Sequence, residues 1–232
     1  PPCRRPPRDT GSRRRGFGEM SISPHNATMT ILGAALLWFG WFGFNAGSAL
    51  GANGQAINAL VTTNTAAAAG ALTWLLLGWL MHSKPSAIGA AVGAVAGLVG
   101  ITPAAGFVTP MSAILIGSLT TTTCFFVTEY LMRGRIDDSL DVFGVHGVGG
   151  IVGALLTGVF ATTGGGSGLI DGNPGQVLIQ LKAVLVVAAY TAIVTAAIVG
   201  LLKATVGIRV TDEEEEAGLD LSQHGEIAYP TA

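Results

Sequence analysis

Charge and cysteine are what this sequence has least of. Only 11% of its 232 residues are charged, and the two cysteines are Cys3, in a basic leading segment, and Cys124, inside an apolar run. So placed, they make neither a disulfide framework nor a metal-ligand spacing, and nothing points to redox chemistry. Residues 1–19 begin without Met and lack the short apolar core of a signal peptide, so the chain is expected to be a piece of something longer. No cofactor, no metal and no nucleic-acid partner is expected.

What the sequence has instead is apolar length. Half of the residues are hydrophobic, 34 are glycine and the mean hydropathy is +0.57, the balance of an integral membrane protein. Six apolar stretches follow one another: Thr28–Leu50, Ala56–Met81, Ala87–Thr102, Met111–Met132, Val142–Phe160 and Val177–Leu202. Each is near the ~20 residues that cross a bilayer as a helix, the third being the shortest. Helices satisfy their own backbone in lipid, and glycine is tolerated where neighbouring helices cover it. The expected fold is therefore all-α, a polytopic bundle of six transmembrane helices.

The basic residues give the orientation. Arg4, Arg5, Arg8, Arg13, Arg14 and Arg15 precede the first stretch, Lys84 follows the second, Arg133 and Arg135 the fourth, and Lys203 and Arg209 the sixth. The other three connections hold none, and only Lys182 lies towards their side. Both ends of the chain are thus expected in the cytoplasm. The expected division is a basic cytoplasmic segment 1–26, a transmembrane domain 27–208 and a cytoplasmic tail 209–232. The acidic run Asp212–Glu216 reads as a solvated part of that tail.

Along the chain, polar groups inside apolar runs mark the places to watch. In the first stretch, Trp41, Phe44, Asn45 and Ser48 share one helical face, with Ser48 nearest the external end and Phe44 about a turn deeper. Aromatic faces attract cations and a hydroxyl accepts from an ammonium-like donor, although an interfacial aromatic belt has the same composition. The second stretch opens with Asn58, Thr62, Thr63, Asn64 and Thr65, a start suited to helix–helix hydrogen bonds. His82 beside Lys84 and Pro85 is an interfacial residue given no role. The third stretch repeats Gly89, Gly93, Gly97 and Gly100 and reads as a helix pressed against others, ended near Thr102 by Pro103. Glu129, one turn before Arg133, reads as a cytoplasmic-edge ion pair. Asp141 is placed to cap the fifth helix, and Thr162–Gly175 reads as an exposed, mobile loop.

The decisive segment is Asp141–Gly150, DVFGVHGVGG. An ionisable residue within a membrane span usually serves a function, and His146 is one. Gly149, Gly150 and Gly153 follow it at helical spacing, so a regular helix would turn the imidazole along a face without side chains. That leaves room either for a small permeant molecule or for a neighbouring helix. Asp141 and His146 as an intramembrane acid–base pair is a third reading, but five positions place them about 140° apart on a helix. An enzyme is not expected.

Laid out in this order, the chain resembles the ammonium transporter family, the Amt/Mep proteins related to the Rhesus proteins. The resemblance rests on SPHN at Ser23–Asn26, GWFGFNAGS at Gly40–Ser48, GAVAGLVGITPAAGF at Gly93–Phe107, DVFGVHGVGGIVG at Asp141–Gly153 and GIRVTDEEEEAGLDLSQHGEIAY at Gly207–Tyr229. It implies spans six to eleven of an eleven-span fold: the second of two inverted repeats plus the last helix. It implies a homotrimer in the plasma membrane, with one apolar pore per subunit. Ammonium is recruited outside, loses a proton and passes inward by way of paired histidines. By motif, Ser48 would accept a hydrogen bond at the outer site, Phe44 would gate beneath it and His146 would be one pore histidine. Trp41 and Asn45 belong to the same motif. Neutral imidazole both donates and accepts, and deprotonation avoids carrying full charge through hydrocarbon. Ammonium or ammonia, with methylammonium as a further candidate, are the implied substrates, and a PII-type signalling protein is an implied partner of the tail that carries His224. The second pore histidine is absent from this stretch, so the stretch alone is not expected to conduct. An ammonium sensor of the same fold is the alternative function.

Overall fold

The computed structural model describes residues 24–133 and 135–227. The six leading arginines, Cys3 and Tyr229 lie outside the described residues, as does most of the segment 1–26. Among the described residues the structure is helical, without strands: α1 Ala27–Gly47, α2 Gly54–His82, α3 Ala87–Ile101, α4 Pro110–Phe126, α5 Val148–Phe160, α6 Gly175–Thr205 and a short α7 Asp212–Ala217. α4 continues as a π-helical segment, Val127–Met132, and α5 is preceded by a π-helical turn, Phe143–Gly147. The described residues up to Ala188 and those from Ala189 onward form two separately compact units.

The helices start where short polar side chains close their free N–H groups. The side chains of Asn26, Asn53, Ser86 and Thr109 accept from Met29, Ala56, Gly89 and Ser112 N–H at 3.0, 3.0, 3.1 and 3.3 Å. Pro110 takes the first position of α4, where no N–H is needed. Counting α4 with its π-helical extension and α5 with its π turn, five helices among the described residues are long and apolar enough to span a bilayer. The fifteen residues of α3 reach only about 22 Å, less than the ~30 Å hydrocarbon thickness.

The missing length of α3 is made up by a buried connection. Ala104, Ala105 and Val108 are almost fully enclosed. Non-helical backbone is tolerated at such depth when protein groups satisfy it, and α2 supplies them. Thr62 Oγ1 donates to the Ala105 carbonyl at 2.7 Å and Asn58 Nδ2 to the Val108 carbonyl at 3.0 Å. The polar start of α2 therefore serves a loop more than a helix. The connection after α5 is anchored as well: Thr162 and Thr163 N–H both donate to the Phe107 carbonyl, at 2.9 and 3.1 Å. The expectation of a mobile loop at Thr162–Gly175 fails at this end, because glycine-rich composition does not reveal a carbonyl waiting on another segment.

The core of the first unit is built by close helix approach. A Cβ at Gly97 would overlap the Ala66 carbonyl, and one at Gly153 would overlap the Gly100 carbonyl. Glycine thus lets α3 pack backbone to backbone on α2 and on α5, where dispersion replaces a hydrophobic driving force that lipid does not supply. Around these seams lie two clusters, one holding Ile101, Val108 and Ile116, the other Trp74, Val99 and Phe125.

The terminal unit is tied to itself. Thr211 caps α7 by a capping box, its hydroxyl accepting from Glu214 N–H while the Glu214 carboxylate accepts from Thr211 N–H at 2.9 Å. Gln223 donates to the same carboxylate at 2.9 Å, Ser222 to the Glu214 carbonyl at 3.1 Å, and Arg209 pairs with Glu215 at 2.7 Å. The acidic run is thus a folded turn rather than a merely solvated one. The Thr211 backbone bond, then its side chain, hold the Glu214 carboxyl below its ordinary value of 4.5. A folded value below the unfolded one means that the box contributes fully above the unfolded value and is lost as pH falls through the folded one. Lowering the pH below about 4.5 should therefore release Gln223 and the Thr211 amide together, read as coincident NMR shift changes of the two. Glu214→Gln should abolish that transition.

Candidate functional site

The aromatic face of α1 divides in two. Asn45 turns inward, buried, and its Nδ2 donates to Thr63 Oγ1 of α2 at 2.9 Å, while Thr63 in turn donates to the Ala59 carbonyl at 2.6 Å. Trp41 is half-buried, its indole N–H donating to Thr102 Oγ1 at the end of α3 at 2.7 Å. Thr102 passes the chain on to the Leu98 carbonyl, also at 2.7 Å. Each such bond contributes about 1 kcal/mol, and together they fix how far α1 can rotate against its neighbours. Phe44 and Ser48 face outward. The rings of Trp41 and Phe44 meet edge to face, centroids 5.9 Å apart, so the anchored indole sets the Phe44 ring.

Ser48 has a chemical polarity that its residue type alone does not carry. Its hydroxyl proton is committed to the Phe44 carbonyl one turn back, at 2.7 Å. The exposed oxygen is left with lone pairs only, so towards an incoming molecule Ser48 is an acceptor. An N–H donor such as ammonium fits it, and an anion does not.

His146 lies on the π-helical turn, about 6 Å along the axis from Val142, and its side chain is exposed. Of Gly149, Gly150 and Gly153, only Gly150 is open, with nothing near the place of a Cβ. Gly149 faces Val99 and Cys124, whose nearest atoms would stand 3.2 and 3.3 Å from a Cβ, and Gly153 is closed by Gly100. Packing against neighbouring helices therefore takes Gly149 and Gly153 and leaves Gly150 open. The wheel misassigns Gly149 and Gly153 because it assumes a regular α-helix, whereas the π turn inserts an extra residue per turn.

The start of this helix also differs from expectation. Asp138, and not Asp141, caps it: Asp138 Oδ1 accepts from Val142 N–H at 2.8 Å, and Oδ2 from Phe143 and Gly144 N–H at 2.8 and 3.1 Å. Asp141 instead adopts a left-handed backbone, φ 54°, which asparagine and aspartate tolerate better than most side chains. Its carbonyl accepts from Val145 N–H at 2.8 Å. Burial pushes the Asp141 carboxyl above its ordinary range, and the neighbouring Asp138 adds to this while Arg133 opposes it. The cue for Asp138 was the pair Asp137–Asp138 ahead of a helix start, but the intervening turn hid the reach of six residues. Asp138→Ala should cost about 1–2 kcal/mol of local stability. It should speed deuterium uptake at the Val142, Phe143 and Gly144 amides over wild type, while Asp141→Asn, which removes the carboxylate and still tolerates the left-handed backbone, leaves them slow.

At the same end of α4, Glu129 pairs with Arg133 as expected, and the same carboxylate oxygen stands 3.7 Å from His82 Nε2 of α2. Among the described residues no group of three His, Cys, Asp or Glu side chains is arranged to hold a metal.

Comparison with known proteins sets these positions in context. The family model described as Ammonium Transporter Family matches residues 10–229. The chain is 48% identical over 222 residues to the ammonium transporter Amt1 of Archaeoglobus fulgidus, covering 95% of this chain and 56% of that protein. It is 52% identical over 214 residues to the ammonium transporter of Aquifex aeolicus, covering 91% and 50%. Its fold matches the crystal structure of Saccharomyces cerevisiae Mep2 with a TM-score of 0.78 at 38% identity, over 82% of this chain and 45% of that one. It matches a protein described as a sensor Amt protein with a TM-score of 0.82 at 31% identity, over 91% and 52%. The chain spans about half the length of the curated relatives it matches.

Proposed function

Since the chain belongs to the ammonium transporter family, a family of multi-pass helical membrane proteins, we propose that it serves ammonium transport by supplying an external acceptor, an aromatic gate residue and one pore histidine. Ser48 receives the ion, Phe44 stands beneath it and His146 handles the nitrogen deeper in. The observation that carries the reading is Ser48: an exposed hydroxyl whose proton is spent inside its own helix selects a hydrogen-bond donor.

The mechanism follows from solvation. A cation entering hydrocarbon loses far more than an amine does, so shedding a proton near the outer site lowers the barrier. Neutral imidazole then offers both a donor and an acceptor to ammonia. Potassium ions have no proton to lose and no N–H to donate. Trp41 and Asn45 act through Phe44 and the α1 contacts, and Asp141 shapes the turn ahead of His146.

The proposed division is a transmembrane part, 27–208, between a cytoplasmic leading segment and a cytoplasmic tail, 209–232, in the plasma membrane. Eleven of the twelve basic residues on one side support it. A homotrimer is supported by Asn64, whose exposed amide lines an outward groove between α2 and α4 with Thr65, Thr73 and Ser118 and would be poorly served by lipid. A PII-type protein at the tail and methylammonium as a second substrate belong to the same reading.

The test is uptake of labelled methylammonium by cells that lack other ammonium import and express the full reading frame carrying this sequence. Uptake that ammonium competes away and potassium does not is the expected result. Membrane-inserted protein without uptake would overturn it and favour the second reading, ammonium sensing, to which the likeness to a sensor Amt protein lends support.

A further inference from the structure

We propose that Gly144 and Thr128 are positioning residues for His146, keeping its imidazole on the open side of the fifth helix by pressing two π-helical turns together. The proposal rests on the reading in which His146 serves transport, and it concerns what aims that side chain.

A regular helix through Phe143–Phe160 would set His146 among Gly149, Gly150 and Gly153, three, four and seven positions on, and nearest around the axis to Gly153. Gly149 and Gly153 face α3 and α4, so the imidazole would be turned towards that packed side. The π turn moves the register by one residue, which turns the preceding side chains by about 100° around the axis. Val148 N–H accordingly reaches back to the Phe143 carbonyl, five residues away. Gly144 and Val145 take the buried positions and His146 an exposed one, and the place of a Cβ on Gly150, four positions on, is open.

The turn has a mate. Arg133 N–H donates to the Thr128 carbonyl, again five residues back, at 3.1 Å, closing the π-helical segment at the end of α4. Thr128 is held rigidly there, its hydroxyl donating to the Cys124 and Phe125 carbonyls, each at 3.0 Å. Its Cγ2 lies against Gly144, so that a Cβ added to Gly144 would overlap it, while the next atom, Met132 Sδ, would stand at 3.4 Å. Thr128 is itself buried. The contact therefore has one tight atom on a side chain that cannot swing away. Asp138 secures the other end of the turn through its three N–H bonds.

The test is a repair experiment in the full reading frame. Gly144→Ala forces the turn off Thr128 and should lower the maximal rate of methylammonium uptake about tenfold or more, with KM within about twofold, because the outer site on α1 is untouched. Adding Thr128→Ser removes the methyl and keeps the hydroxyl, and should bring the rate back to within about threefold of Thr128→Ser alone. Unimpaired uptake by Gly144→Ala, or a double variant as slow as the single, would overturn the proposal. Should Gly144→Ala not accumulate in membranes, Thr128→Ile presses on the same contact from the opposite side: a lower maximal rate at unchanged KM supports the proposal, and wild-type rates overturn it. Labelling of His146→Cys by a water-soluble thiol reagent reads position without transport. It should fall with Gly144→Ala and recover in the double variant, and equal labelling in all three overturns the proposal. If His146→Ala leaves uptake unchanged, the transport reading of His146 falls, and the labelling order alone decides the positioning.

Discussion

Replacing His146 by Ala should lower methylammonium uptake by roughly tenfold to a hundredfold, the cost of one well-made polar contact to the permeant of about 1.5–3 kcal/mol. The imidazole is exposed, so its loss leaves no cavity in the core and the protein should melt in detergent as wild type does. His146→Gln, which still donates and accepts, should fall between the two. Uptake by His146→Ala equal to wild type, at equal membrane content, would remove the side chain from the pathway.

Two glycines three positions apart on the same helix, about 60° apart around its axis, should behave in opposite ways. Gly153→Ala places a methyl on the Gly100 carbonyl, with the Gly100 Cα and carbonyl carbon both 2.9 Å away, so α3 and α5 must part along their length. Overpacking of this kind costs about 1–3 kcal/mol and more where only backbone can yield. The protein should lose most of its folded, monodisperse fraction on mild heating in detergent. Gly150→Ala meets nothing and should hold its melting temperature. If the open side beside His146 is the pathway, however, that methyl should slow uptake. A stable, slow Gly150→Ala and an unstable Gly153→Ala would separate conduction from packing within one turn of helix. Equal stability of the two would contradict the seam between α3 and α5.

Much of the architecture was open to reading. Apolar runs of the right length locate the helices because lipid leaves the backbone no other solution, and the polar residues before α1 to α4 act as caps as their types predict. The ion pair of Glu129 with Arg133 follows from their spacing alone. The wrong details share one cause. Asp141 as a cap, and His146 aligned with Gly149, Gly150 and Gly153 alike, both assume a uniform helix from Asp141 onward. Two π-helical segments and a left-handed Asp141 break that uniformity. Nothing in the order of residues announces them, since they are held by Thr128 meeting Gly144 and by Asp138 reaching six residues ahead. The anchoring of Thr162 and Thr163 on the Phe107 carbonyl likewise joins segments far apart in the chain and leaves no mark in local composition.

By itself the sequence determined the helical membrane class, the number and order of the apolar stretches, the family and the identity of Phe44, Ser48 and His146 as the residues to examine. Those properties depend on composition and local spacing, which the chain carries wherever it is read. The tertiary structure alone decided which way residues face: Asn45 inward to Thr63, Trp41 onto Thr102, and His146 exposed while Gly149 and Gly153 close the seam. Orientation is set by contacts between segments far apart in the chain, and a single extra residue in one turn is enough to reverse it.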